Sequence, residues 1–298
     1  MSTNSIQIPA AIQQNRKKIT TKTLQLKKQH GEPITMLTAY DYPTARMIDQ
    51  VGMDVILVGD SLGMVVLGYS NTLPVRMEEM LHHCRAVARG AQYALLVGDM
   101  PFMSYQVSVE DAVRNAGRFL QESGMDAIKL EGGRERLGAI RAIVGAGIPV
   151  MGHLGLTPQS VNQLGGFLAQ GKTAKAAAHV MEDALLLEDA GCFSIVLESV
   201  PGRLGEYISK KLAIPTIGIG AGSGCDGQVL VTHDLLGMFD RFTPKFARRY
   251  ANIYAEMERA FTEYRQDVEN GVFPGPEHTI GMPDEEWEIF LHGTENGI

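Results

Sequence analysis

Four short apolar runs in this sequence end in an acidic residue beside a small or turn-forming neighbour. They are DVILVGDS (54–61) with Asp60, YALLVGDM (93–100) with Asp99, AIKLEGG (127–133) with Glu131, and SIVLESV (194–200) with Glu198. Lys129 stands two places before Glu131, a spacing that puts both on one face of a strand. Carboxylates gathered at one rim repel each other, so a cation or a proton must neutralise them. Oxygen-only ligands from Asp60, Asp99 and Glu131 suit a hard divalent ion, Mg²⁺ first. Such an ion keeps water-filled positions, and a 2-oxo acid can chelate it through its keto and carboxylate oxygens. The metal then serves as a Lewis acid for an enolate. In that arrangement Lys129 pairs with the substrate carboxylate. Glu198, outside the metal's ligands, is the free base. His153, in PVMGHLGL (149–156), is a candidate accessory group, although a lone histidine in an apolar run is more often a hydrogen-bonded core residue.

These residues need elements that bring them together. The four runs belong to a set of eight, completed by ITMLTAYD (34–41), PVMGHLGL, PTIGIGAG (215–222) and GQVLVTHD (227–234). They are nearly continuous in apolar character, as strands covered on both faces are. Helical patterns fall between them. Ser108 is a predicted N-cap, Val109 to Leu120 carry an apolar stripe, and Gly124 ends it. Thr173 opens a second helix that Gly191 closes, and Met77 to Gly90 is a third. Asp41 fits a helix cap better than a ligand, because Pro43 follows at a first-turn position. Eight strands with intervening helices predict an α/β fold, a (β/α)₈ TIM barrel, whose active site lies at the C-terminal strand ends. Strands seven and eight are too close for a full helix between them, so an open doubly wound sheet is the alternative. The expected organisation is an N-terminal extension over 1–18, a catalytic barrel over 19–270 and a C-terminal tail over 271–298. Residues 243–270 read as helical.

Composition narrows the function classes. The balance of 34 acidic against 27 basic side chains, a net charge of −7, argues against a nucleic-acid partner. No apolar run approaches the length of a membrane span. The three cysteines, Cys84, Cys192 and Cys225, read as free thiols in a reducing compartment, and a cytoplasmic location is expected. Residues 1–31 lack acidic side chains. That suits a transit peptide, but the plainer expectation is a short exposed helix with basic residues toward its end. Two motif matches are discounted. Gly59-Asp60-Ser61-Leu62-Gly63 has the form of a hydrolase nucleophile elbow, yet an acid precedes the serine. Gly222 to Gly227 has the dinucleotide form, yet runs into a strand-like segment.

The strings MLTAYDYPTA, VGDSLGMVVLGYSNTLPV, DMPFMSY, KLEGG, GHLGLTPQSV and IPTIGIGAG, with DGQVLV after it, resemble the ketopantoate hydroxymethyltransferase family. The likeness runs from about Ile19 to about His278. It implies a barrel of the phosphoenolpyruvate/pyruvate kind in a large homo-oligomer, often a decamer. It implies transfer of a one-carbon unit from 5,10-methylenetetrahydrofolate to 3-methyl-2-oxobutanoate, giving 2-dehydropantoate, the first committed step of pantothenate biosynthesis. By matching motif, Asp60 and Asp99 would bind Mg²⁺, with Glu131 contributing directly or through water. Asp60, Ser61, Asp99 and Lys129 would contact the oxo acid, and Glu198 would accept the proton. A Mg²⁺-dependent 2-oxo acid lyase or aldolase on the same barrel is the alternative. The tail holds an apolar cluster, Trp287, Ile289, Phe290 and Leu291, suited to docking on a neighbouring subunit.

Overall fold

Successive residues of a strand point to opposite faces, and here each face meets its own apolar layer. Val55 and Leu57 join Val97, Ala127, Met151 and Val196 in one buried cluster, while Ile56 and Val58 pack with residues of the surrounding helices in another. The computed structural model describes residues 16–239 and 244–295. Among these, the parallel strands close into a barrel in sequence order. They are β1 (Ile34–Thr38), β2 (Val55–Val58), β3 (Leu95–Asp99), β4 (Ala127–Glu131), β5 (Val150–Gly155), β6 (Ser194–Glu198), β7 (Thr216–Ile219) and β8 (Gly227–Leu230). Helices α2 (Tyr42–Gln50), α3 (Leu62–Val65), α4 (Met77–Gly90), α5 (Val109–Ser123), α6 (Leu137–Gly145), α7 (Val161–Leu164), α8 (Ala174–Asp189) and α9 (Gly202–Lys211) lie between the strands, and α10 (Thr232–Leu236) follows β8.

The expected caps form. The Asp111 N–H donates to Ser108 Oγ at 3.1 Å, Thr44 N–H to Asp41 Oδ1 at 2.8 Å, and Ala176 N–H to Thr173 Oγ1 at 3.2 Å. Gly124 ends α5 with φ of 73°, a conformation that favours glycine. The barrel closes without a helix between β7 and β8. Residues 220–226 turn back directly, and Asp226 ties the turn down by accepting from Thr216 N–H at 2.8 Å and Thr216 Oγ1 at 2.9 Å. A Cβ at Gly222, whose φ is 79°, would stand 2.8 Å from Gly202 Cα, so the close approach of this turn to α9 needs glycine.

The N-terminal helix α1 (Thr21–His30) exists as expected, with Lys27, Lys28 and His30 in its last turn. It is not simply exposed. Leu24 is fully buried with Ile34, Met36 and Val55 at the end of the barrel opposite the strand C-termini. Lys27 pairs with Asp54 at 2.6 Å and Lys28 with Asp226 at 2.8 Å, so the basic residues fasten a plug to the strand starts. Removing the plug's apolar anchor leaves a cavity. Leu24→Ala is therefore expected to lower stability by about 2–5 kcal/mol. The check is a lower denaturant midpoint at unchanged slope.

Compactness divides the chain after Tyr250, ahead of the boundary expected at 270, into one unit up to 250 and another from 251 to 298. The helix read over 243–270 is shorter, α11 (Ile253–Glu269), and residue 243 lies outside the described residues. The expected tail contains a helix of its own, α12 (Asp284–Glu295), opened by Asp284, Glu285 and Glu286 where negative charge favours a helix N-terminus. Trp287, Ile289, Phe290 and Leu291 are exposed on it, and Trp287 stacks on Phe290 at 5.4 Å. No described helix is long and apolar enough to cross a membrane. Most of the N-terminal extension, residues 1–15, lies outside the described residues.

Candidate active site

The alternation that sends Val97, Ala127, Met151 and Val196 into the barrel sends Asp99, Lys129, Glu131, His153 and Glu198 to its C-terminal rim. Register then sets them side by side. Asp99 is level with Lys129, Glu131 with His153, and Gly155 with Glu198. Asp60 follows β2, and its N–H donates to Asp99 Oδ2 at 3.1 Å. These groups line a cavity of about 390 Å³, together with Ser61 and, further out, Phe167 and Phe246.

Lys129 Nζ lies 2.8 Å from Asp99 Oδ1 and 3.2 Å from His153 Nδ1. His153 reaches Glu131 Oε1 at 3.4 Å through Nδ1 and Glu198 Oε2 at 3.2 Å through Nε2. Burial disfavours the Lys129 ammonium, but Asp99, Glu131 and Asp60 outweigh it and hold the amine charged, with its pKa raised. Burial and Lys129 likewise disfavour an imidazolium at His153, yet Glu131 and Glu198 outweigh both and lift it to about 9. So His153 is no isolated core histidine. It bridges the carboxylate expected near the metal and the carboxylate expected to be the base.

Two cations do not neutralise this rim. Asp60 is held well above the usual carboxylate range by burial, then by Asp99 and Glu131, with Lys129 only partly offsetting them. Asp99 is raised too, by burial and Glu131 against the pull of Lys129. Asp99 Oδ1 and Glu131 Oε1 are buried, with Lys129 Nζ and His153 Nδ1 as their charged neighbours. Crowded, buried carboxylates whose charge Lys129 only partly offsets suit a hard divalent cation. Among the described residues, no three His, Cys, Asp or Glu side chains form a protein ligand set by themselves. Mg²⁺ does not require one, since it commonly binds through one or two carboxylates and keeps its waters. Asp60 and Asp99, joined on this rim through the Asp60 N–H, are the candidates for such a pair. Glu131 Oε2 is engaged by the Gln159 N–H at 2.9 Å, which suits a role through water better than a direct one.

Ser61 Oγ lies 2.9 Å from Tyr40 Oη. Burial pushes the Tyr40 phenol up, so it stays protonated and does not activate the serine, and the nucleophile-elbow match has no base behind it. The Gly222–Gly227 match opens no helix; β8 begins at its end. Tyr40, Tyr105 and Gln159 hydrogen-bond to site residues and Asp234 lines the cavity, and the sequence patterns singled out none of them. Gln159 and Tyr105 carry no charge, and their positions after strand ends were the available signal.

The family model for ketopantoate hydroxymethyltransferase matches residues 18–276. A 3-methyl-2-oxobutanoate hydroxymethyltransferase from Syntrophus aciditrophicus (strain SB) is 60% identical over 268 residues, 90% of this chain and 98% of the relative. The enzyme of that name from Enterococcus faecalis (strain ATCC 700802 / V583) is 58% identical over 268 residues, again 90% and 98%. Among solved structures, phosphonopyruvate hydrolase in complex with oxalate and Mg²⁺ superposes with a TM-score of 0.57 at 14% identity, covering 93% of this chain and 95% of that one. That likeness concerns the fold alone. The family match spans the whole barrel, and on that ground the chain belongs to the ketopantoate hydroxymethyltransferase family.

Proposed function

We propose that this protein transfers a hydroxymethyl group to 3-methyl-2-oxobutanoate, giving 2-dehydropantoate, with 5,10-methylenetetrahydrofolate as the one-carbon donor. The observation that carries the reading is the convergence of Asp60, Asp99, Lys129, Glu131, His153 and Glu198 on one cavity within a family of this activity. The high identity of the named relatives favours transfer over a lyase or aldolase reaction.

Asp60 and Asp99 would hold Mg²⁺, whose chemistry is to neutralise negative charge that develops on the oxo-acid oxygens. Lys129 is charged and Ser61 lines the same cavity, so both are placed to hold the substrate carboxylate. Glu198 takes the proton from C3, leaving the electron pair on that carbon to form the bond to the donor's methylene carbon. The Nε2 of His153, 3.2 Å from Glu198 Oε2, orients that carboxylate toward the proton it takes. Overall one water is consumed: its oxygen becomes the new hydroxyl, and the donor leaves as tetrahydrofolate. Glu131 supports His153 and would hold the metal through a water. The exposed Trp287 cluster supports self-association as a large homo-oligomer, with a decamer expected from the family likeness.

The test is proton NMR of 3-methyl-2-oxobutanoate in D₂O with purified protein. Mg²⁺-dependent loss of the C3 proton signal is expected without any donor, with chelator abolishing it. Product is expected only when tetrahydrofolate and formaldehyde are added. A folded, Mg²⁺-loaded protein that neither exchanges the proton nor forms product would refute the substrate assignment.

A further inference from the structure

Gln159 sits in a short 3-10 turn, Pro158–Ser160, just beyond β5. It is buried, yet it does not line the cavity that holds the rim carboxylates. With Tyr105 and Glu131 it lines an adjoining cavity of about 280 Å³. So its place is behind the carboxylates, away from a substrate in the main cavity.

Its hydrogen bonds form a directed chain. The Glu131 main-chain N–H donates to Tyr105 Oη at 3.2 Å. The single hydroxyl proton of Tyr105 then goes to Gln159 Oε1 at 2.7 Å, which also accepts from Gln106 Nε2 at 3.3 Å. With its oxygen taken, the Gln159 amide turns both Nε2 protons the other way, one to Asp60 Oδ2 at 3.0 Å and one to the Met100 carbonyl at 2.9 Å. The Gln159 main-chain N–H meets Glu131 Oε2. A flipped amide would set its oxygen against a carboxylate and a carbonyl, which burial would make costly. The Tyr105 phenol is a hydroxyl donor at neutral pH, and its proton points at Gln159. One oxygen of Asp60 and one of Glu131 are thereby fixed from behind, which sets the orientation of the other oxygen of each.

We propose that Gln159 is a positioning residue that holds the Asp60 and Glu131 carboxylates in the orientation suited to the divalent cation, with Tyr105 fixing the sense of its amide. Neither residue touches substrate. Outer partners of this kind are typically worth about 10–100-fold in metal affinity.

The experiment is calorimetric titration of Mg²⁺ into the full-length protein without substrates, with melting temperature in the absence of metal as the structural control. Gln159→Leu is expected to weaken Mg²⁺ binding by about 10–100-fold. Tyr105→Phe keeps the ring and removes the hydroxyl, both the donor to Gln159 Oε1 and the acceptor of the Glu131 N–H, and a smaller loss is expected. The double variant is expected to bind no more weakly than Gln159→Leu alone, because Tyr105 acts through Gln159. A purely structural role would lower the melting temperature and leave affinity unchanged. Wild-type affinity in Gln159→Leu, or losses that multiply in the double variant, would overturn the inference. Should Gln159→Leu not fold, Gln159→Met, which keeps the length and removes the amide, decides in its place: unchanged affinity overturns it. The inference rests on the proposed metal role, and the wild-type titration separates the two. Absence of Mg²⁺ binding there refutes that role and this inference together, while normal binding by wild type and variants refutes the inference alone.

Discussion

Glu198→Gln is expected to lower both C3 proton exchange and product formation by about 10²–10⁴-fold, the usual span for loss of a positioned general base. Glutamine preserves the shape of the side chain and its reach to His153, so the loss would report the missing proton acceptor and not a collapsed rim. Glu198 lies on the far side of His153 from the Lys129–Asp99 pair, which predicts a further result: Mg²⁺ affinity stays within about twofold, because side chains without direct contact usually act independently. Exchange and transfer would fall together, since both need the same proton removed. Near-normal turnover in Glu198→Gln would refute the base assignment.

The two aspartates are expected to separate when each is changed to asparagine. Both substitutions would weaken Mg²⁺ binding by at least about 100-fold, more than the loss of an outer partner. Without metal their effects on stability differ in sign. Asp99 is the direct partner of Lys129, with side chains only 2% and 4% exposed, so Asp99→Asn leaves a buried ammonium short of its nearest counter-charge. Breaking a buried pair from one side typically costs about 3–5 kcal/mol. Asp60 has no such ion pair. Its charge is opposed by burial, Asp99 and Glu131, and an asparagine oxygen still accepts from Gln159. Asp60→Asn is thus expected to leave the metal-free melting temperature unchanged or raise it, as relief of strain at a functional site does. Mg²⁺ at 100 times its dissociation constant would stabilise the wild type by about 2.7 kcal/mol, and either variant far less at that concentration. Equal destabilisation by both substitutions would refute the asymmetry argued here.

The strand-end residues were legible because period two is a local property. Once Val97 and Ala127 are inside, Asp99, Lys129 and Glu131 must follow on the same face, whatever the rest of the chain does. Ser108, Thr173 and Gly124 were legible for the same reason, since a cap acts within one helical turn. The α1 plug was not, because Leu24 lies in a helix of low amphipathic contrast and its burial depends on strands far along the chain. The helix in the tail was obscured by flanking glycines and prolines.

By itself the sequence determined the family, the strand and helix order, and which charged side chains would share a rim. These follow from residue type, spacing and periodicity over a few residues. The tertiary structure alone decided barrel closure without a helix between β7 and β8, the pairing of Lys129 with Asp99, the bridging place of His153 and the clamp of Gln159 on Asp60. The last joins positions 99 residues apart. Gln159 and Tyr105 are uncharged and unremarkable in any short window. They gain a role because closure of the barrel buries their amide and hydroxyl beside carboxylates, where every polar atom must find a partner.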